Sequence, residues 1–191
     1  MVDMNTIKAQ GVPKNSDKKI KSEPTAEELA ESFVAPGWKI LLAYNNGEAD
    51  AIDQVKRLEK RLPKVAEEIE KKDKKLGVLF KKEIEKIVSE RNQNNLVIFF
   101  IKNCLSKDNI KELNKISDAD WKNLINIAKN ENATDQDKFE AVDKLFEKTK
   151  LKGSSAVISS QIRSLLGGHK QQGDIKALEE LKKTIRESAK K

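Results

Sequence analysis

The sequence LVIFFIKNCL at residues 96–105 decides the fold of this chain. Its apolar residues follow the spacing of one helix face, and Ile98 and Phe99 add apolar surface on the flanks. A helix that is apolar almost all round must be covered by other helices. A buried strand is the alternative interpretation, and helix is favoured because the sequence offers no second strand to pair with it. Ten residues with polar flanks are too few to cross a bilayer, which takes about 20.

Amphipathic segments on both sides of this run supply the cover. Helix starts near residues 96, 107, 118, 135, 155 and 174 are unevenly spaced and share no residue signature, which argues against a regular solenoid. The predicted fold is all-α: an irregular multi-helix bundle around a central apolar helix, with an antiparallel helical hairpin.

Three regions are expected along the chain. Residues 1–24 form a disordered basic tail with the patch Lys18-Lys19-Ile20-Lys21. Residues 25–92 contain N-terminal helices and a long hairpin, and residues 93–191 form a compact bundle that packs with 25–92 as one domain.

Two helices are expected at the start of the ordered part. Thr25 and Glu28 match a capping box, and Ala35-Pro36-Gly37 is expected to end this first helix. A short second helix then runs over 38–44, with Trp38 as an anchor whose indole N–H lies near the surface.

The hairpin is predicted from two amphipathic segments that meet at Pro63, which suits the first turn of a new helix. The first segment carries apolar residues at Ile52, Val55, Leu58 and Leu62, and the second at Val65, Ile69, Leu76, Phe80, Ile84 and Ile87. This apolar seam either packs into the domain core or accepts a partner helix or a second copy of the chain. Core packing is favoured.

Polar residues mark the helix starts in the second half of the chain. The predicted N-caps are Ser106, Ser117 with Asp120, Thr134 with Asp135 and Asp137, Ser154 or Ser155, and Asp174.

Composition limits the function classes. The chain has 38 Lys and Arg against 31 Asp and Glu, a net charge of +7 that suits an acidic partner. Only five of these cations are Arg, however, and nucleic-acid readers rely on Arg. A single Cys, and the lack of an N-terminal apolar signal, predict a cytoplasmic protein, with signal-less export left open.

The densest charge run, EEIEKKDKK at 67–75, gives the candidate nucleic-acid contacts of the alternative function: Lys71, Lys72, Lys74, Lys75, Lys81 and Lys82. Glu67 with Lys71, Glu68 with Lys72 and Glu70 with Lys74 are spaced as i,i+4 pairs. A solvated helix face is therefore favoured over a nucleic-acid surface.

The sequence nominates no catalytic residue, metal site or cofactor. His169 lies in a loop without an evident partner, and Cys104 lies on the apolar face. Gly153-Ser154-Ser155 lacks the spacing of a phosphate loop. Residues 110–127 match a helix-turn-helix poorly, because Asp118 and Asp120 would repel phosphates at the start of the second helix.

The last residues carry one resemblance. The segment ALEELKKTIRES at 177–188 is similar to the charged tails of effectors exported through type IV secretion, and the Lys-, Asn- and Ile-rich usage is typical of an AT-rich bacterial genome. This resemblance implies a bacterial protein that leaves the cell without a signal peptide.

The expected function is therefore a non-enzymatic helical protein, monomeric or weakly dimeric, that binds another macromolecule. A protein partner is favoured, and non-specific nucleic-acid binding through the lysines is the alternative.

Overall fold

A computed structural model describes residues 22–151, 155–167 and 173–191. These ranges contain no β-strand and form an irregular bundle of nine helices, which confirms the predicted fold class. The helices are α1 (Ala26–Asn45), α2 (Ala51–Lys72), α3 (Lys74–Ser89), α4 (Gln93–Asn103), α5 (Lys107–Asn114), α6 (Asp118–Lys129), α7 (Asp135–Glu147), α8 (Ser155–Leu165) and α9 (Ile175–Ser188).

Helix α4 lies at the centre of the bundle. All its residues from Leu96 to Ile101 are buried, and α1, α3, α8 and α9 pack around it. Asn92 caps its N-terminus by accepting a hydrogen bond from the Asn95 N–H. The prediction of a central apolar helix is confirmed, and the strand alternative is wrong.

Helix α1 runs through Pro36 without a break, so the prediction of two helices is wrong here. Gly37, directly after Pro36, is where α1 packs closely against two other helices. A Cβ atom at this position would lie 3.1 Å from Leu96 Cδ2 and 3.4 Å from Leu58, which shows how closely α1 approaches α2 and α4. Packing on both sides of Pro36 therefore outweighs its lost hydrogen bond.

The hairpin is present, but it turns at Asp73 and not at Pro63. Helix α2 passes through Pro63 to Lys72, and the Asp73 carboxylate then caps α3 by accepting from the Leu76 N–H at 2.9 Å. Gly77 contacts Glu70 beside this joint. At the far end Arg91 pairs with Glu59 at 2.8 Å, so the helices are antiparallel.

The predicted caps are present wherever the structure describes them. Thr25 with Glu28, Ser117 with Asp120 and Thr134 with Asp137 form capping boxes, and Ser106 and Asp174 cap α5 and α9. Ser154 lies outside the described residues, and Ser155 is the first residue of α8. The patch at 18–21 in the predicted disordered tail also lies outside them.

Two expectations about individual side chains are wrong. Ile52 is 56% exposed, although it matches the apolar spacing of its helix, and Phe139 on α7 is also exposed, at 47%. The Trp38 indole is buried, and its Nε1 has no hydrogen-bond partner among the described residues.

The apolar seam of the hairpin belongs to the core of the domain. Val55, Leu62, Ile69, Phe80 and Ile84 are all buried, and they form one cluster with α1 and α4. Among the described helices none combines the length and the apolar character that a membrane crossing requires.

Candidate interaction surface

The candidates for chemistry occupy unsuitable or undescribed positions. Cys104 caps the C-terminus of α4 and is buried, and this burial, with a smaller contribution from the Glu27 carboxylate, raises the pKa of its thiol to about 12. A thiol with this pKa is protonated near neutral pH and is a poor nucleophile. His169, Gly153 and Ser154 lie outside the described residues.

Metal ligands do not converge in the part of the chain that the structure describes: no group of three or more His, Cys, Asp or Glu side chains is placed to hold an ion there.

Charge pairing occupies the N-terminus of α6, which would be the recognition helix of a helix-turn-helix. Asp118 accepts from Lys182 at 2.7 Å and lies 3.5 Å from Arg186, both on α9, while Asp120 pairs with Lys148 at 2.7 Å. The hydrogen bond from Lys182 lowers the pKa of Asp118, and the hydrogen bond from Lys148 lowers that of Asp120. This helix end packs against its own chain and presents ionised carboxylates, which is the opposite of what a DNA reader needs.

The six candidate lysines do not share one surface. Lys71 and Lys72 are the last residues of α2 and line a surface pocket together with Glu23, Pro24 and Leu29. In this pocket Lys72 pairs with Glu23 at 2.6 Å. Lys74, Lys75, Lys81 and Lys82 all lie on α3, and Lys81 also borders the groove between α2 and α3.

None of the three i,i+4 pairs expected in the charge run forms an ion pair. Lys72 binds Glu23 and not Glu68, and the break at Asp73 puts Glu70 and Lys74 on different helices. Five of the candidate lysines have no carboxylate oxygen within 4.0 Å of their ammonium nitrogen among the described residues: Lys71, Lys74, Lys75, Lys81 and Lys82. The pairing expected from the sequence therefore does not neutralise these lysines among the described residues.

Two apolar side chains lie among these lysines. Val78 is 55% exposed and Leu79 38% exposed, and the residues three and four positions before and after Val78 are all lysine. Residues at this spacing are neighbours on a helix surface. Val78 therefore has two lysines one turn before it and two lysines one turn after it. We call Lys74, Lys75, Val78, Leu79, Lys81 and Lys82 the basic face of α3. The next carboxylates along the helix are Glu83 and Glu85.

Leu79 connects the basic face to a groove of about 380 Å³ between α3, α4 and α9. Ile87, Ile98 and Phe99 contribute apolar lining to this groove. Its rim carries both signs of charge, from Glu83, Lys86, Glu90, Lys102 and Glu180.

Val78 and Leu79 were not identified from the sequence. The available signal was that both fall outside the apolar seam of their own helix, which runs through Leu76, Phe80, Ile84 and Ile87. Apolar residues off the seam must be exposed unless another element covers them.

Comparison of the chain with protein-family models, with curated proteins and with solved structures gives no match.

Proposed function

We propose that this protein is a non-enzymatic binding protein and that the basic face of α3 is its contact surface for a protein partner with acidic side chains. One observation carries the proposal. The exposed pair Val78 and Leu79 is surrounded by lysines that have no carboxylate partner among the described residues.

This arrangement has the layout of a protein interface. Small interfaces concentrate their affinity in a few apolar residues at the centre, and polar or charged residues around them set orientation and specificity. Val78 and Leu79 supply the centre, and the four lysines of the basic face supply the charged surround. An acidic partner would neutralise lysines that have no carboxylate partner among the described residues, and the attraction would speed association.

Nucleic-acid binding is the second candidate, and the unpaired lysines favour it. The phosphate backbone needs only cations, and lysines alone give a salt-sensitive, sequence-independent attraction. Two features favour a protein instead. The basic face contains no Arg, and an exposed Val–Leu pair contributes nothing to phosphate binding.

The proposed setting is a reducing compartment such as a cytoplasm, since the one cysteine is free and buried. Export of the folded or unfolded chain from a bacterial cell, as its last residues imply by resemblance, is compatible with the same surface.

A titration followed by NMR tests the proposal. The ¹⁵N-labelled protein is titrated with a synthetic acidic amphipathic helix that carries Glu residues around a Leu stripe, and separately with a short DNA duplex. We expect the peptide to shift the backbone amides of residues 74–82. A peptide of the same composition with the Leu residues scattered should shift them much less.

Matched variants separate the two candidates. Val78→Ser with Leu79→Ser removes the apolar centre and keeps every charge, whereas Lys75→Gln with Lys82→Gln keeps the apolar pair and removes two charges. Protein binding requires both the apolar pair and the lysine charges, so either variant should weaken the peptide complex. Nucleic-acid binding replaces the proposal under three joint conditions. The duplex must bind the native chain, it must bind the serine variant equally well, and the peptide must produce no shifts. Shifts from neither ligand would reject both candidates.

A further inference from the structure

The most acidic described helix complements the most basic one. Helix α3 carries five lysines and two glutamates, a net charge of +3, and α7 carries five carboxylates and two lysines, a net charge of −3. No other described helix reaches either value. This balance is notable in a chain whose overall charge is +7.

The charged face of α7 also surrounds an exposed apolar residue. Phe139 is 47% exposed, and Asp135 and Asp143 lie four positions before and after it. Glu140 is adjacent and accepts from Gln136 Nε2 at 2.9 Å, and Glu147 continues the same stripe one turn further. We call Asp135, Phe139, Glu140, Asp143 and Glu147 the acidic face of α7.

Part of this face is already paired. The Arg163 guanidinium lies 5.4 Å from the centre of the Phe139 ring and pairs with Asp143, and Lys138 lies 3.9 Å from Asp135. Lys144 borders the stripe on one side. Glu140 and Glu147 form no ion pair with any described residue, so they are the carboxylates that remain for an external cation.

We propose that the acidic partner of the basic face is a second copy of this chain, which docks through the acidic face of its α7. This inference rests on the proposed function and names its partner. Phe139 of one copy would cover Val78 and Leu79 of the other, and Glu140 and Glu147 would approach Lys75 and Lys82. Lys75 and Lys82 are seven residues apart, as are Glu140 and Glu147, so the two pairs have the same spacing of about 10.5 Å along their helices.

The association must be weak. The basic face spans eight residue steps and the acidic face twelve, so the contact is about 12 to 18 Å long and smaller than a standard interface. We expect a dissociation constant of about 10⁻⁴ to 10⁻³ M at low salt. Added salt should weaken it further, because exposed charges are screened beyond about 10 Å at 0.1 M.

The two contact surfaces are different, which gives a specific test. A variant that has lost its basic face still has its acidic face, and the reverse holds for a variant that has lost its acidic face. Neither variant should associate with itself. A mixture of the two should form a 1:1 pair through the surfaces that remain.

The experiment uses sedimentation equilibrium of the full chain, whose monomer mass is 21.6 kDa. The basic-face variant is Lys75→Gln with Lys82→Gln, and the acidic-face variant is Glu140→Gln with Glu147→Gln, so that neither altered face can bind the other by charge. Lys122→Gln with Lys129→Gln on α6 is the matched control, because it changes the net charge as much as the basic-face variant does. Phe139→Ala tests the apolar contact and should weaken association about tenfold.

We expect the native chain and the α6 control to gain mass with concentration at low salt and to return to the monomer at high salt. Each face variant alone should remain monomeric, and their mixture should regain the mass of a pair. A native chain that stays monomeric up to about 1 mM, or a mixture that stays monomeric, would overturn the inference.

The peptide titration keeps this result separate from the proposed function. If the acidic peptide shifts residues 74–82 while the chain does not associate with itself, the partner is a different protein and only the present inference fails. If neither the peptide nor a second copy engages α3, both fail.

Discussion

Gly77 packs directly against the backbone of Glu70: a Cβ atom at residue 77 would lie 2.4 Å from Glu70 Cα. The contact is backbone to backbone across the two helices of the hairpin, next to the turn at Asp73. Because no side-chain rotation can relieve such a clash, α2 and α3 would have to move apart to admit any other residue.

Gly77→Ala should therefore destabilise the protein, by about 1 to 3 kcal/mol of unfolding free energy. The sign of this change in unfolding free energy is informative. In an unconstrained helix, replacing glycine by alanine stabilises the helix by about 1 kcal/mol. Urea unfolding measures the change, and Lys82→Ala on the exposed side of α3 is the control, with an effect within about 0.5 kcal/mol. A stabilised Gly77→Ala protein would show that the helices are not this close.

Phenylalanine truncation should separate the central helix from the surface. Phe100→Ala removes a fully buried ring from α4 and should cost about 3 to 5 kcal/mol, because a cavity remains. Phe139→Ala removes a half-exposed ring and should cost at most about 1 kcal/mol, mainly its contact with Arg163. Thermal and urea unfolding of the two variants give the comparison, and equal costs would contradict the central position of α4.

Arg91 has a φ of 56°, a left-handed conformation at the end of α3 that favours glycine. Its side chain compensates by pairing with Glu59 at 2.8 Å and lying 5.4 Å from the centre of the Tyr44 ring. Arg91→Ala loses these contacts and keeps the strain, whereas Arg91→Gly loses the contacts and the strain. The alanine variant should unfold more easily than the glycine variant by about 1 kcal/mol, and equal stabilities would argue against a strained backbone.

Asp120 should contribute to acid sensitivity. Hydrogen bonds from Lys148 and then from the Ser117 hydroxyl lower its pKa in the folded protein. A lowered pKa gives stability that is fully present above the unfolded value, about 3.9, and is lost as the pH falls through the folded value. Asp120→Asn should make the unfolding free energy less dependent on pH below about pH 5. Lys148→Ala should act in the same direction, and an unchanged pH profile in both variants would contradict the assignment.

The central helix and the helix starts could be predicted because their signals are local. The run at 96–105 is apolar almost all round, and Thr25, Ser117 and Thr134 each stand three residues before a carboxylate that returns the hydrogen bond. A pattern confined to four or ten residues needs no information from the rest of the chain.

The two prolines were misinterpreted because their outcome depends on packing. Pro36 and Pro63 each remove one hydrogen bond from a helix, a cost that usually ends it. Buried residues flank both prolines, Val34 and Trp38 at Pro36 and Leu62 and Val65 at Pro63, and the sequence does not reveal where their packing partners lie. Asp73 was the better signal for the turn, since Asp is a preferred N-cap, but it stood inside a run of charges.

The basic face was partly predictable. The sequence indicates its lysines, but the expected i,i+4 pairing with Glu67, Glu68 and Glu70 concerns only Lys71, Lys72 and Lys74. The start of α3 at Lys74 separates Glu70 from Lys74, whereas Glu67 and Lys71 both lie on α2 and form no ion pair with each other. The exposure of Val78, Leu79 and Phe139 depends on which neighbours cover them, and three-dimensional packing alone determines that.

The position of α4 has a consequence for synthesis on the ribosome. Its flanks are closed by α1 and α3, made before it, and by α8 and α9, made after it. A nascent chain that has not yet released α9 thus leaves the side of α4 that α9 covers open to water. Chaperones that bind exposed apolar segments would have a substrate during that interval, which ends when α9 has emerged.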